Sequence, residues 1–307
     1  MGDSRDQGLL VRVPASSANL GSAFDTAALA LDLYLEVQCL QVPEGGVELE
    51  YRGPDPDQVP LGQDNLIFRA MGEVVGEAAS GVRLVVRSQI PVGVGLGSSA
   101  AALVAGVLIG SALGGGRRSR EELLEVAARL EGHPDNAAAA LLGGFVVAAQ
   151  TSSEVLTRRT ELPPQLRFVI ATPSVALPTS ASRAVLPSSY DREDVTWNLQ
   201  RAALLTAAFF SDPLGLSPEL FSDRLHQGQR APLVPGIADC LEVRHPDLLG
   251  VFLSGAGSSV VGVVRGSESE VGDLFREAFA GAGISASTRV ASGDNLGARV
   301  SPIATPE

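Results

Sequence analysis

Leu9 to Val13 and Leu31 to Val42 carry the alternating or β-branched residues of half-buried strands, and the SSANLGSAFDT stretch between them is rich in turn formers. Val82 to Ile90 repeats the strand pattern, a glycine-rich turn follows, and the apolar run from Ser98 to Leu113 predicts a helix. Ser119 with Glu122 forms a capping-box pair, after which Leu123, Val126, Ala127 and Leu130 recur at helical spacing until Gly132 stops the run. A short helix is expected from Pro134. Gly143 and Gly144 break it and lead into a strand, FVVAAQ.

The polar stretch from Thr151 to Gln165 ends in Pro163 and Pro164 and reads as a domain boundary, dividing the chain into residues 1–162 and 163–307. Beyond it, Arg167 to Ala171 predicts a strand and Thr196 to Phe210 a helix. Leu248 to Leu253 and Val260 to Val264 predict strands on either side of a GAGSS loop. Ser267 and Glu270 form a second capping-box pair, before a helix whose Val271, Leu274, Phe275 and Ala278 share a face. No internal repeat or low-complexity tract is present, and the first eight and last seven residues are expected as free ends.

Composition narrows the function. Hydrophobic residues are 45% and charged residues 19% of the 307, enough apolar material for a sizeable core. The 23 basic against 35 acidic residues leave a net charge of -12, which repels nucleic acid and anionic membranes, so an anionic ligand needs a locally built site. Cys39 and Cys240 stand far apart, outside any metal-binding spacing, and read as buried fillers in a reducing compartment. The N-terminal MGDSRDQGLLVRVP lacks the apolar core of a signal peptide, and Ala100 to Leu113 is too short and broken to span a bilayer. A soluble cytoplasmic protein is expected.

The segment with the clearest chemistry is PVGVGLGSSAA: Pro91, Val92, Gly93, Val94, Gly95, Leu96, Gly97, Ser98, Ser99, Ala100 and Ala101. Its glycines let the backbone approach a ligand closely, and the following helix directs unpaired N–H groups and the positive end of its dipole back at the loop. Phosphate suits that arrangement. The pattern is neither a P-loop, which requires Gly-Lys-Ser/Thr, nor the dinucleotide fingerprint. With no lysine present, backbone dipoles and a divalent cation must carry more of the charge compensation. Ser98 and Ser99 can cap the helix or offer hydroxyls to phosphate and Mg²⁺.

Other polar residues admit two readings each. Asn19 and Asp25, in a glycine-broken loop, either project into a cleft or cap a turn. Glu131 ends a helix where the dipole disfavours a carboxylate, which suggests a bound cation or a solvated helix end. Glu125 is the alternative carboxylate, with Arg129 as its simpler i,i+4 partner. His133, Pro134, Asp135 and Asn136 open the next helix. Arg183 and Arg230 read as surface residues, or as a pair whose planar forks suit a carboxylate.

Taken together, the glycine segment, RVPASSANLGSAFDTAALALDLYLEV, EGHPDN (131–136) and LSGAGSS (253–259) resemble the GHMP kinases, and the homoserine kinases among them. The resemblance implies an α+β, two-domain fold: an N-terminal ATP-binding domain with a left-handed βαβ crossover and a ferredoxin-like C-terminal domain. It also implies phosphorylation of the L-homoserine hydroxyl by MgATP, on the route to threonine.

In that reading the glycine segment, Asn65, Gly255 and Gly257 meet the nucleotide, while Ser98, Ser99 and Glu131 meet Mg²⁺. Asn19, Asp25, His133, Asp135, Thr179, Arg183 and Arg230 meet the amino acid. Asp135, His133 and Arg183 stand closest to the chemistry, with Asp135 either a base or an ammonium ligand. The chain departs from the family pattern in having Ala23 in place of the common glycine, four alanines after Asn136, and Gln229 where tyrosine is usual. A kinase of mevalonate type and a non-catalytic nucleotide sensor are the competing readings, and retention of Glu131 and Asp135 argues against the sensor. A homodimer is compatible with the sequence; partners of nucleic-acid or membrane type are not expected.

Overall fold

The computed structural model describes residues 8–41, 46–76 and 81–303. Its first strands, β1 (Leu9–Ala18) and β2 (Ala27–Gln41), pair antiparallel over their whole length. Both extend further toward their connecting loop than the alternating pattern indicates. From Val13 to Ala18 and from Ala27 to Leu31 every residue is buried, so small residues such as Ser16, Ser17 and Ala28 are covered on both faces and the period-two signal vanishes. The connecting loop shrinks to Asn19–Thr26.

No sequence expectation covered β3 (Val47–Arg52) or α1 (Leu66–Val75), which lead to β4 (Val82–Ser88) lying parallel to β3. The next helices, α2 (Ser98–Leu113), α3 (Arg120–Glu131) and α4 (Asp135–Leu142), stand where the sequence puts them, and the Ser119–Glu122 capping box has both of its hydrogen bonds. Helix α2 is apolar all round because it is the central helix, packed on α1, α3, α4 and β1. A Cβ at Gly106 would strike the Ile67 carbonyl, so this glycine sets how closely α1 can approach.

A hairpin of β5 (Phe145–Gln150) and β6 (Val155–Thr160) completes this part. Strand β6 falls inside the stretch that reads as a boundary: it is an edge strand with a polar, largely exposed sequence. The seven-stranded sheet runs β11-β1-β2-β4-β3, β11 being Arg299–Pro302, with β5 attached to β2 and β6 to β5.

The second half begins with β7 (Arg167–Pro173), α5 (Thr179–Ala184) and α6 (Arg192–Ser211), followed by α7 (Gln227–Arg230) and α8 (Ile237–Leu241). Then come β8 (Leu248–Leu253), β9 (Val260–Val264), α9 (Glu268–Gly281) and β10 (Ala286–Ser292). The four strands lie antiparallel in the order β10-β7-β9-β8, the arrangement of a βαββαβ ferredoxin-like unit. The second capping box does not form. Ser267 adopts φ 53° and donates to Asp247 at 2.6 Å, while Glu270 faces His245, although α9 still starts beside it.

Period-two alternation along β7 divides the core. Phe168 and Ile170 join the large core shared with the first sheet, whereas Val169 and Ala171 pack with Val271, Phe275 and Phe279 on the opposite face. Finally β11 (Arg299–Pro302) returns to pair with β1, so Ser301 and Pro302 are not free ends. Residues 1–7 and 304–307, the rest of the expected ends apart from Gly8 and Ile303, lie outside the described residues, as does Val42. Cys39 and Cys240 are buried, and burial pushes their thiols up to about 11 and about 12. Among the described residues no helix is long and apolar enough to cross a membrane.

Candidate active site

The glycine loop joins β4 to α2, and its backbone is held from behind. The carbonyls of Gly93, Val94, Gly95 and Leu96 accept hydrogen bonds from Leu177 N (3.1 Å), Ser259 N (3.0 Å), Ser254 Oγ (2.6 Å) and Ser16 N (3.2 Å). Gly95 and Gly97 sit at φ 84° and 70°; a Cβ on Gly95 would collide with Ser254 O, and one on Gly97 with Ser16 Oγ. These two glycines therefore let β1 and the GAGSS loop close against the turn. The first N–H groups of α2 have no intrahelical acceptor and open onto the cleft lined by Ser98 and Ser99.

That cleft has a volume of about 300 Å³. Part of its wall is apolar, with Tyr51, Leu66, Val86 and Ala102 from β3, α1, β4 and α2. Another part is charged and carries Asp25, Glu131, His133, Asp135, Arg183 and Arg230. Of the residues expected at the nucleotide, Val92, Gly93, Gly95, Leu96, Gly97, Ser98, Ser99, Asn65 and Gly255 line the cleft. Pro91, Val94, Ala100, Ala101 and Gly257 are not among its lining residues, and Val94, Ala100 and Ala101 are buried. Tyr51, Gln58, Leu66 and Val86 line it without having been singled out in the sequence, because such side chains carry no signature of their own.

Several predicted contacts are spent on the protein. Asn65 caps α1, accepting from Ile67 N at 2.9 Å and donating to Pro60 O at 2.7 Å. Asn19, at φ 74°, donates to Gly255 O at 2.8 Å and accepts from Asp25 N at 2.9 Å, so its amide shapes the loop that presents Asp25. Asp25 and Arg183 form a two-pronged ion pair at 2.9 and 3.1 Å. Arg230 is not a surface residue. It is 1% exposed and donates to Ser182 O at 3.2 Å and Gly255 O at 3.0 Å. Thr179 opens α5, but its side chain lies outside the described residues.

His133 Nδ1 lies 2.6 Å from Asp135 Oδ1, which also accepts from Asn136 N at 2.7 Å. Burial works against the charged imidazole, yet the hydrogen bond and charge of Asp135, with Glu131 and Asp25 beyond it, raise His133 above its ordinary value. Asp25, His133 and Asp135 each offer a ligand atom within 4.8 Å of the others. With an imidazole among them, this trio suits a polar organic substrate better than a hard cation.

Glu131 and Glu125 are separated by the helix they share. Glu131, the last residue of α3, accepts from Ser99 Oγ at 2.5 Å beside the start of α2. Burial pushes its carboxyl up, and the Ser99 hydrogen bond and the His133 charge oppose that shift. Glu125 lies in a different groove with Gln150 and Ser153, and Arg129 pairs with Glu73 at 2.9 Å rather than with Glu125. Carboxylate and hydroxyl oxygens meeting beside a helix N-terminus are a donor set that Mg²⁺ accepts; Glu131 and Ser99 meet in this way, and Ser98 lines the same cleft.

Residues 65–144, which hold the glycine loop, α2 and the EGHPDN turn, match the GHMP kinases N terminal domain. Over 295 residues the chain is 41% identical to homoserine kinase of Moorella thermoacetica, spanning 95% of this chain and 99% of that one. It is 43% identical over 274 residues to homoserine kinase of Solibacter usitatus, covering 88% and 89%. In fold it is similar to the crystal structure of homoserine kinase from Cytophaga hutchinsonii, with a TM-score of 0.86 at 24% identity over 98% of this chain and 99% of that one. The fold is also similar to L. major mevalonate kinase, with a TM-score of 0.61 at 14% identity over 96% and 97%. Because identity of 41–43% to these homoserine kinases extends over 88–95% of the chain, the protein is a member of the homoserine kinase family of GHMP kinases.

Proposed function

We propose that this protein transfers the γ-phosphoryl group of ATP to the side-chain hydroxyl of L-homoserine, giving O-phospho-L-homoserine and ADP in threonine biosynthesis. The observation that carries the reading is a single cleft in which a glycine loop and helix terminus share a wall with both an apolar surface and a cluster of opposite charges. The apolar wall suits a nucleobase, and the N–H groups opening α2 suit its phosphates. A bound Mg²⁺, held by Glu131 with Ser98 and Ser99, would neutralise charge on the phosphates.

The charged wall suits a zwitterion. Asp25 and Arg183 hold each other, and an amino acid can replace each partner with one of its own charges: ammonium toward Asp25 and Asp135, carboxylate toward Arg183 and Arg230. Asp135 Oδ1 is committed to His133 and Asn136 N, leaving Oδ2 for the substrate ammonium or the attacking hydroxyl. Phosphoryl transfer needs chiefly in-line positioning and charge stabilisation, which these groups and the fixed backbone dipoles supply. The two buried, unpaired cysteines support a reducing, cytoplasmic setting.

Arginine variants test the amino acid clamp. Losing one partner of a desolvated charge pair costs on the order of 2–5 kcal/mol, or roughly 30- to several-thousand-fold in kcat/KM. Arg230→Met should lose homoserine kcat/KM in that range, and Arg183→Met, whose side chain is partly solvated, toward its lower end, while both retain MgATP binding. Arg183→Met is the cleaner variant, since Arg183 pairs with Asp25 at the surface whereas Arg230 is buried. Parental kcat/KM in both variants would rule out the clamp.

A further inference from the structure

His226 is fully buried at the start of α7 and belongs to none of the groups assigned so far. Its Nε2 lies 2.9 Å from Gly21 O and its Nδ1 3.2 Å from Arg230 Nη1. Its ring stacks on Phe24 at 4.9 Å between centroids, and the Arg230 guanidinium lies over the same Phe24 ring at 5.1 Å. A guanidinium only donates, so Nδ1 must be the acceptor; a carbonyl only accepts, so Nε2 must carry the proton. The partners thus fix one neutral tautomer. Burial, with the Arg230 charge behind it and Asp223 opposing, holds the imidazole pKa below its ordinary value.

The hydrogen bonds close a ring. Asn19 donates to Gly255 O, which also accepts from Arg230; Arg230 donates to His226, and His226 donates to Gly21, two positions from Asn19. Arg230 has five N–H donors. Nε is taken by Ser182 O, and Nη1 by Gly255 O and His226. Nη2 has no hydrogen-bond partner among the described residues, and Arg230 lines the cleft.

We infer that His226 is a positioning residue that fixes the spacing between the Arg230 guanidinium and the Asn19–Thr26 loop, and thereby sets the affinity for the amino acid substrate. This rests on the reading of Arg230 as a carboxylate ligand. Cutting the ring at His226 leaves a buried Arg230 N–H without an acceptor and frees the guanidinium to turn. The glycine loop and the apolar wall have no hydrogen bond to His226, so the effect falls on the amino acid and not on the nucleotide.

Two amides separate the functions of the ring nitrogens. In His226→Asn the short side chain keeps an oxygen near the Nδ1 position, where Arg230 can still donate. In His226→Gln the amide nitrogen reaches the Nε2 position, serves Gly21 O and leaves Arg230 without its acceptor. Steady-state kinetics should give His226→Asn a homoserine KM near that of the parent, and His226→Gln and His226→Leu a KM raised by about 10- to 100-fold, the range for a stranded buried donor. The MgATP KM should stay near the parent's in all three.

The inference is overturned if His226→Gln matches the parent, or if the homoserine and MgATP constants rise in parallel with loss of thermal stability. An Arg230→Lys arm separates the two levels. An unchanged homoserine KM there would defeat the carboxylate reading itself, whereas a raised KM beside a parental His226→Gln would defeat only the role of His226. Should variants at 226 fail to fold, the ¹⁵N spectrum of the parent decides. His226 must be in the neutral Nε2–H form at neutral pH and shift on adding homoserine; a Nδ1–H or charged ring, or a response to nucleotide alone, contradicts the inference.

Discussion

Asn65 and Asn19 carry the same amide and were both expected at ligands, yet each uses both ends of it on the protein. A sequence reports which groups can make hydrogen bonds and not which acceptor lies nearest in space. The same limit hid the burial of Arg230, whose acceptors come from residues 182, 226 and 255. For Glu131 and Glu125 the fold separates what spacing could not. They lie on one helix, but only Glu131 reaches Ser99 and the cleft. Glu131→Gln should lower turnover and raise the Mg²⁺ requirement by at least about tenfold, since even outer partners of metal sites cost that much. Glu125→Gln should titrate with Mg²⁺ as the parent does. The reverse order of effects would move the cation to the groove at Glu125.

At the scale of elements, legibility followed burial on one face or two. Strands and helices with a single buried face, such as the outer part of β2, α3 and α9, showed their period in the sequence. The inner ends of β1 and β2, built of small residues covered on both sides, did not, and neither did the polar edge strand β6. The glycine loop was legible as a turn before a helix, but not its packing. Gly97 faces the Ser16 hydroxyl and backbone, whereas a Cβ on Gly93 would meet only Gln58 Oε1 at 3.5 Å and Ala176 Cβ at 3.9 Å.

The two glycines should therefore fail differently on substitution. Gly97→Ala combines a left-handed backbone with overpacking, about 2–5 kcal/mol together, and should lower the melting temperature strongly. Gly93→Ala carries only the backbone cost of about 1–2 kcal/mol. It should leave a folded protein with weakened MgATP binding in calorimetric titration. Equal melting temperatures for the two variants would contradict the packing described.

Across the whole molecule, the expected halves 1–162 and 163–307 contribute to one shared core. One cluster runs from Val11 in β1 to Val263 in β9, and β11 carries the C-terminal end back to the first sheet. Neither return was visible in the sequence, because a four-residue edge strand has no period to read. Shared burial on this scale couples the halves, so differential scanning calorimetry should record one transition with calorimetric and van't Hoff enthalpies nearly equal. Two resolved transitions would mean that the halves unfold independently.

One cleft also places the charged wall beside the glycine loop and the start of α2, and that union is what the proposed reaction requires. It is tested most directly by ADP release from MgATP with L-homoserine, L-threonine, L-serine, mevalonate and 4-hydroxybutyrate as acceptors, with the homoserine product identified by ³¹P NMR. A site built for both charges of an amino acid should turn over L-homoserine with a kcat/KM at least about a hundredfold above mevalonate and 4-hydroxybutyrate, since each leaves a buried partner unmatched. Equal or better turnover of mevalonate, or no ADP release with homoserine, would contradict it.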